Sequence, residues 1–144
     1  MGTVSARRLA LLGILTAVLL GGQVALAALP NVEIVSLLVI LYALLLGRQA
    51  FLVVYAFVLL EGCLYGFGLW WVSYLYVWSI LAGIALVLRR MEAPALFWAV
   101  VSGFFGLGFD LVHCIGNFLV CLLLFRPLHR LLERLLRRYD REGP

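Results

Sequence analysis

The sequence predicts an all-α polytopic membrane protein: a compact bundle of six transmembrane helices followed by a C-terminal amphipathic helix. Three observations predict it. Of 144 residues, 66% are hydrophobic, and the mean hydropathy is +1.15; a soluble domain averages about 45–50% apolar residues. Apolar runs of about 20 residues, enough to cross a hydrocarbon core, follow one another with only short turns between them. The cations, all 11 of them arginine, gather near the N-terminus, in alternate turns and in the tail, which is the bias that orients a membrane protein. The length leaves no room for a soluble domain. The expected organisation is one bundle over residues 1–125 and a basic tail over 126–144.

Behind Arg7 and Arg8, Leu9–Leu29 forms the first span. A basic start, an apolar run and Ala25-Leu26-Ala27 also describe a cleavable signal peptide. Gly13, Ala17, Gly21 and Ala25 recur every four residues, however, as a small-residue ridge that admits a second helix, and they favour a retained helix. Pro30, Asn31 and Glu33 begin the next helix, with Asn31 as a cap and Glu33 as an acid in the first turn. Val32–Leu46 is a short second span, and Gly47-Arg48-Gln49 a cationic turn. The third span, Ala50–Tyr65, carries Glu61 roughly 20 Å beyond Arg48 at 1.5 Å per residue, in the opposite half of the bilayer. After Gly66-Phe67-Gly68, the fourth span Leu69–Leu88 opens with Trp70, Trp71, Tyr74, Tyr76 and Trp78. These form a belt at the headgroups, or Trp70, Trp71 or Tyr74 turns inward to stack on a flat ligand.

Arg89-Arg90-Met91-Glu92 is a second cationic turn. From Ala95 to Phe125 one straight helix would be about 46 Å long, against a core of about 30 Å. Arginines at both ends demand an even number of crossings, so a hairpin near Gly106–Gly108 with two short members is expected. One continuous tilted helix, giving five spans, is the alternative. In the tail, Leu128, Leu131, Leu132, Leu135 and Tyr139 make an apolar stripe flanked by Arg130, Arg134, Arg137 and Arg141, the pattern of a basic helix lying on anionic lipid.

The resulting topology puts both termini, the Arg48 turn and the Arg89–Arg90 turn in the cytoplasm. The Pro30–Glu33, Gly66–Trp70 and Gly106–Asp110 turns lie outside, where no arginine falls. Asp110, His113 and Asn117 are spaced i, i+3 and i+7, so on a helix they share one face. Ionisable groups in such helices normally face a cavity or a bundle interior. With Asn31, Glu33, Glu61, Trp70, Trp71 and Tyr74 they compose a polar, aromatic pocket in the outer half, the candidate substrate site.

Other chemistry finds less support. There is no G-x-x-x-x-G-K-[ST] phosphate loop, and the net charge of +4 is distributed for membrane orientation rather than for nucleic acid. Cys63, Cys114 and Cys121 form no metal-type pair; Cys114 and Cys121, about 10 Å apart along a helix, cannot join as a disulfide. A metal site needs three or four ligands, and His113 is the single membrane histidine, since His129 lies in the tail. No catalytic residues, metal or cofactor are expected.

Leu29-Pro30-Asn31-Val32-Glu33, Glu61 through Trp71, Ser102 through Leu107 and Phe109 through Phe118 resemble the substrate-binding S component of an energy-coupling factor (ECF) transporter, in an uncharacterised branch similar to cobalamin-type subunits. The resemblance runs over nearly the whole chain. It implies a six-helix protein of a bacterial cell membrane that captures a small water-soluble micronutrient from outside and hydrolyses no ATP. It implies docking on a transmembrane coupling protein carrying two ATPase subunits, with toppling in the membrane to release substrate. The small residues of the first helix, here Gly13, Ala17, Gly21 and Ala25, are the implied docking contacts. The chain departs from the family in a shortening between Leu107 and Phe109, which puts the outer lid in doubt. The alternative from another class is a non-catalytic membrane scaffold of the MreD-like cell-shape type, which would have little use for a buried acid–imidazole–amide stripe.

Overall fold

The computed structural model describes residues 5–27, 33–91, 93–106 and 111–141, without the side chains of 106 and 111–113. Within them the regular elements are helical: α1 Ala6–Leu26, α2 Val35–Leu46, α3 Ala50–Tyr65, α4 Leu69–Leu88, α5 Ala95–Gly106 and α6 Leu111–Arg141, with a 3-10 turn, Gly47–Gln49, between α2 and α3. Ser5 starts α1 by accepting a hydrogen bond from the Arg8 amide at 3.2 Å, satisfying one of the donors that a helix start leaves over.

The helices alternate in direction between two poles. At Gly47 (φ +63°) the chain takes a conformation that an L side chain resists, and α2 gives way to α3. Arg8 Nε donates to Gln49 Oε1 at 2.8 Å, so the start of α1 meets the start of α3. Arg89, at the end of α4, lies against Gly47. Arg7, Arg8, Arg48, Arg89 and Arg90 therefore share a basic pole. Towards the opposite pole, the Trp71 indole of α4 donates to the Val58 carbonyl of α3 at 2.8 Å, and Ile34 packs on Gly22.

Among the described residues, four stretches are long and apolar enough to cross a membrane: Ala6–Leu26, Val35–Tyr65, Leu69–Leu88 and Cys114–Arg141. The expected helical membrane bundle is present, with four such stretches rather than six. The physical reason is length. α2 and α5 have 12 residues each, about 18 Å, and Val35–Tyr65 qualifies only by joining two helices that reverse at Gly47.

The core is built around α2. From Val35 to Ala43 every residue is buried, as a helix that is apolar on all sides requires. Its Tyr42 hydroxyl donates to the Leu15 carbonyl of α1 at 3.2 Å. α1 buries Leu12, Leu15, Thr16 and Leu19 and packs chiefly against α3. Gly13, Ala17, Gly21 and Ala25 lie on its exposed side.

Gly62 lets α3 and α4 close. A methyl group there would strike the Phe67 ring and fall 2.7 Å from Trp71 Nε1. Gly62→Ala should lower stability by about 1–3 kcal/mol through overpacking. Gly83→Ala on α4, with nothing within 4 Å, should be neutral or gain up to about 1 kcal/mol from helix propensity. Thermal unfolding of both variants in detergent checks the contrast.

The tail is helical and continuous with the last apolar segment: α6 runs unbroken for 31 residues through Pro127. Leu128, Leu132 and Leu136 pack against the core, while Leu131 and Leu135 stay half exposed, at 50% and 54%. The predicted apolar stripe is thus divided, because its far end closes on α1. The Arg7 guanidinium lies 4.3 Å from the Tyr139 ring centroid, and Arg8 pairs with Asp140 at 3.6 Å.

Candidate functional site

Glu33, at the entrance to α2, organises the pole away from the arginines. One turn later Ser36 reaches back and donates to Glu33 Oε1 at 2.7 Å. From α6, Asn117 Nδ2 donates to the same oxygen at 2.8 Å and lies 3.4 Å from Ser36 Oγ. Ser102 of α5 donates to the Asn117 carbonyl at 3.4 Å. The carboxylate thus fastens α2 to α6, and the Asn117 carbonyl ties α5 to α6. α5 and α6 come close enough for this because Gly103 presents no side chain: a Cβ there would sit 3.1 Å from the Cys114 carbonyl.

The second acid comes from α3. Glu61 is 2% exposed, near the helix end that the Gly66 turn (φ +87°) terminates. Glu61 and Glu33 both lie within electrostatic range of Tyr74 on α4, and Gln23 of α1 is among its polar neighbours. Tyr74 stands in an aromatic ladder on α4: Trp70, Tyr74 and Trp78 meet edge to face at 5.3 and 5.5 Å, and Phe57 of α3 stacks on Tyr74 at 6.5 Å. Edge-to-face pairs of this kind add to the burial of their rings.

Three polar atoms in this region are buried with no hydrogen-bond partner among the described residues: Glu61 Oε1, Asn117 Oδ1 and Trp78 Nε1. Most buried polar groups in native proteins are paired, and an unpaired one costs about 1–3 kcal/mol. Two of the three are acceptors. The arrangement can therefore bind a molecule that brings hydrogen-bond donors, and a cationic nitrogen would also offset the two carboxyl groups.

Of the residues proposed from sequence, Glu33, Glu61, Tyr74 and Asn117 are brought together. Trp70 sits at the rim, 37% exposed. The Trp71 indole N–H is spent on the Val58 carbonyl, and its ring meets Phe67 edge to face at 5.0 Å, so Trp71 braces α3 against α4. Asn31 and Asp110 lie outside the described residues, as does the His113 side chain, although the backbone of His113 belongs to α6. Sequence reasoning missed Gln23, Ser36 and Ser102 as members of the site, and treated Trp78 only as part of a belt. The available signal was a lone polar side chain in an otherwise apolar helix. Among the described residues no three His, Cys, Asp or Glu side chains gather as metal ligands. Comparison with protein-family models, with curated proteins and with solved structures finds no match to this chain.

Proposed function

We propose that this protein is the substrate-binding membrane subunit of an ECF-type importer, one that holds a small, water-soluble, donor-rich micronutrient in the cluster around Glu33, Glu61, Tyr74 and Asn117. The observation that carries the reading is the pair of buried acceptors, Glu61 Oε1 and Asn117 Oδ1, that have no hydrogen-bond partner among the described residues. In this reading all six helices lie in a bacterial cell membrane, the two short ones sheltered by neighbours. The basic pole and both termini are cytoplasmic. The exposed Gly13, Ala17, Gly21 and Ala25 face is where a coupling protein with two ATPases docks. The ligand then reaches the cytoplasm through differential binding of two orientations. The chain itself performs no catalysis.

The test is a thermal-shift screen of purified protein against water-soluble vitamins and their precursors, with cationic and neutral members. A ligand at about a hundred times its Kd adds about 2.7 kcal/mol, so a cognate compound should raise Tm by several degrees. A panel with no stabilising member, or a shift that survives Asn117→Leu unchanged, would remove the site. An MreD-like scaffold would show neither response and would bind a protein partner at its basic end.

A further inference from the structure

At the basic pole two adjacent cavities share Arg89 as a common wall. One, of about 350 Å³, is lined by Leu44, Arg89, Met91, Ala93, Trp98, Phe125 and His129. The other, of about 430 Å³, is lined by Arg48, Leu86, Val87, Arg89 and Arg90. Three guanidinium groups, from the α2–α3 turn and the end of α4, thus rim one depression. None has an acidic partner among the described residues. The tail is different: there Arg8 has Asp140 and Arg137 has Glu133. Arg89 is also placed by the fold, because a methyl group on Gly47 would fall 2.6 Å from its Nη1.

Like charges held together repel, and guanidinium forks match phosphate oxygens in geometry as well as in charge. Apart from His129 the remaining walls are apolar, and they open outward, with Val87 79% and Met91 54% exposed. That is a poor setting for a fully hydrated anion and a good one for an anion attached to hydrocarbon. We propose that this notch is a phosphate-binding site, with Arg48, Arg89 and Arg90 holding the headgroup of an anionic phospholipid whose chains lie against Leu86, Val87 and Met91. Basic recesses between membrane helices take such headgroups on general electrostatic grounds. The site lies at the pole opposite the polar cluster and stands independently of the function proposed above.

The test is native mass spectrometry of the full-length protein extracted from vesicles of phosphatidylglycerol and phosphatidylcholine, with a parallel thermal titration using inorganic phosphate. The wild type should retain one phosphatidylglycerol in preference to phosphatidylcholine. Arg48→Gln/Arg89→Gln should weaken retention about twenty-five-fold, roughly fivefold for each arginine. Arg130→Gln/Arg134→Gln, which removes equal charge from the tail, should leave it unchanged. Should the first pair not fold, Arg90→Gln alone is expected to weaken retention roughly fivefold. Stabilisation by inorganic phosphate, lost with the same arginines and without lipid retention, would uphold the phosphate site and make its source soluble. Binding of neither, or equal loss in both double variants, would overturn the proposal.

Discussion

Replacing Glu33 with alanine should cost about 2–4 kcal/mol of stability, the largest loss expected from any single polar substitution in this chain. Two donors, Ser36 Oγ and Asn117 Nδ2, converge on Glu33 Oε1 at 2.7 and 2.8 Å, and each of those residues is only 1% exposed. Removing the acceptor strands the Ser36 hydroxyl and leaves Asn117 Nδ2 only its longer bond to Ser36 Oγ at 3.4 Å, in apolar surroundings where an unsatisfied donor costs about 1–3 kcal/mol. Because the carboxylate joins α2 to α6 and, through Asn117, to α5, the loss should appear as separation of the α5–α6 hairpin from the rest. Hydrogen exchange would locate it there. Glu33→Leu/Asn117→Leu, which removes acceptor and donor together, should recover part of the loss, since apolar replacement of a whole buried pair is often neutral. Thermal unfolding of the two variants side by side checks both parts; equal stability of Glu33→Ala and wild type would mean that the carboxylate fastens nothing.

The second large effect runs in opposite directions for stability and for function. Glu61→Leu should stabilise the empty protein by about 1–3 kcal/mol, the typical penalty of a buried polar group with no compensating hydrogen bond. It should also weaken ligand binding a hundredfold or more. A charge-assisted hydrogen bond in a dry site is worth about 1.5–3 kcal/mol, and its loss leaves the ligand's donor buried without a partner. Chemical denaturation of the unliganded protein gives the first quantity, and titration with a compound found by thermal shift gives the second. A destabilised Glu61→Leu protein would show that the carboxyl group has a structural partner and that its isolation is not held for a ligand.

The sequence made the helices legible because their limits are set locally. Glycine and arginine turns bound α3 and α4, so Ala50–Tyr65 and Leu69–Leu88 stand where the pattern puts them. Their reversal follows from arginines alternating between ends. The tail was harder to read. Arg126-Pro127 looks like a helix stop, yet an interior proline costs about 3 kcal/mol, and the packing of Leu128, Leu132 and Leu136 on the core outweighs that. Length patterns likewise concealed that α2, with 12 residues, is the buried centre of the bundle rather than an ordinary span. In the site, both acids were visible as charges in apolar runs. Their partners were not: Glu33 and Asn117 meet across 84 positions, a distance on which residue spacing is silent. Ser36 and Gln23 gain meaning only once α1, α2 and α4 are packed. Trp71 shows the converse, since an aromatic that reads as a ligand platform is committed to bracing two helices.

In the proposed function the buried acceptors are held for a ligand. Native mass spectrometry of wild type and Glu61→Leu, both expressed in a vitamin-rich medium and released from detergent, tests that assignment. The wild type should retain a small molecule of one defined mass, carrying a cationic or multiply donating nitrogen, and Glu61→Leu should retain none. A wild-type protein that emerges empty and stays empty when cationic vitamins are added, or a molecule retained equally by both proteins, would contradict that assignment.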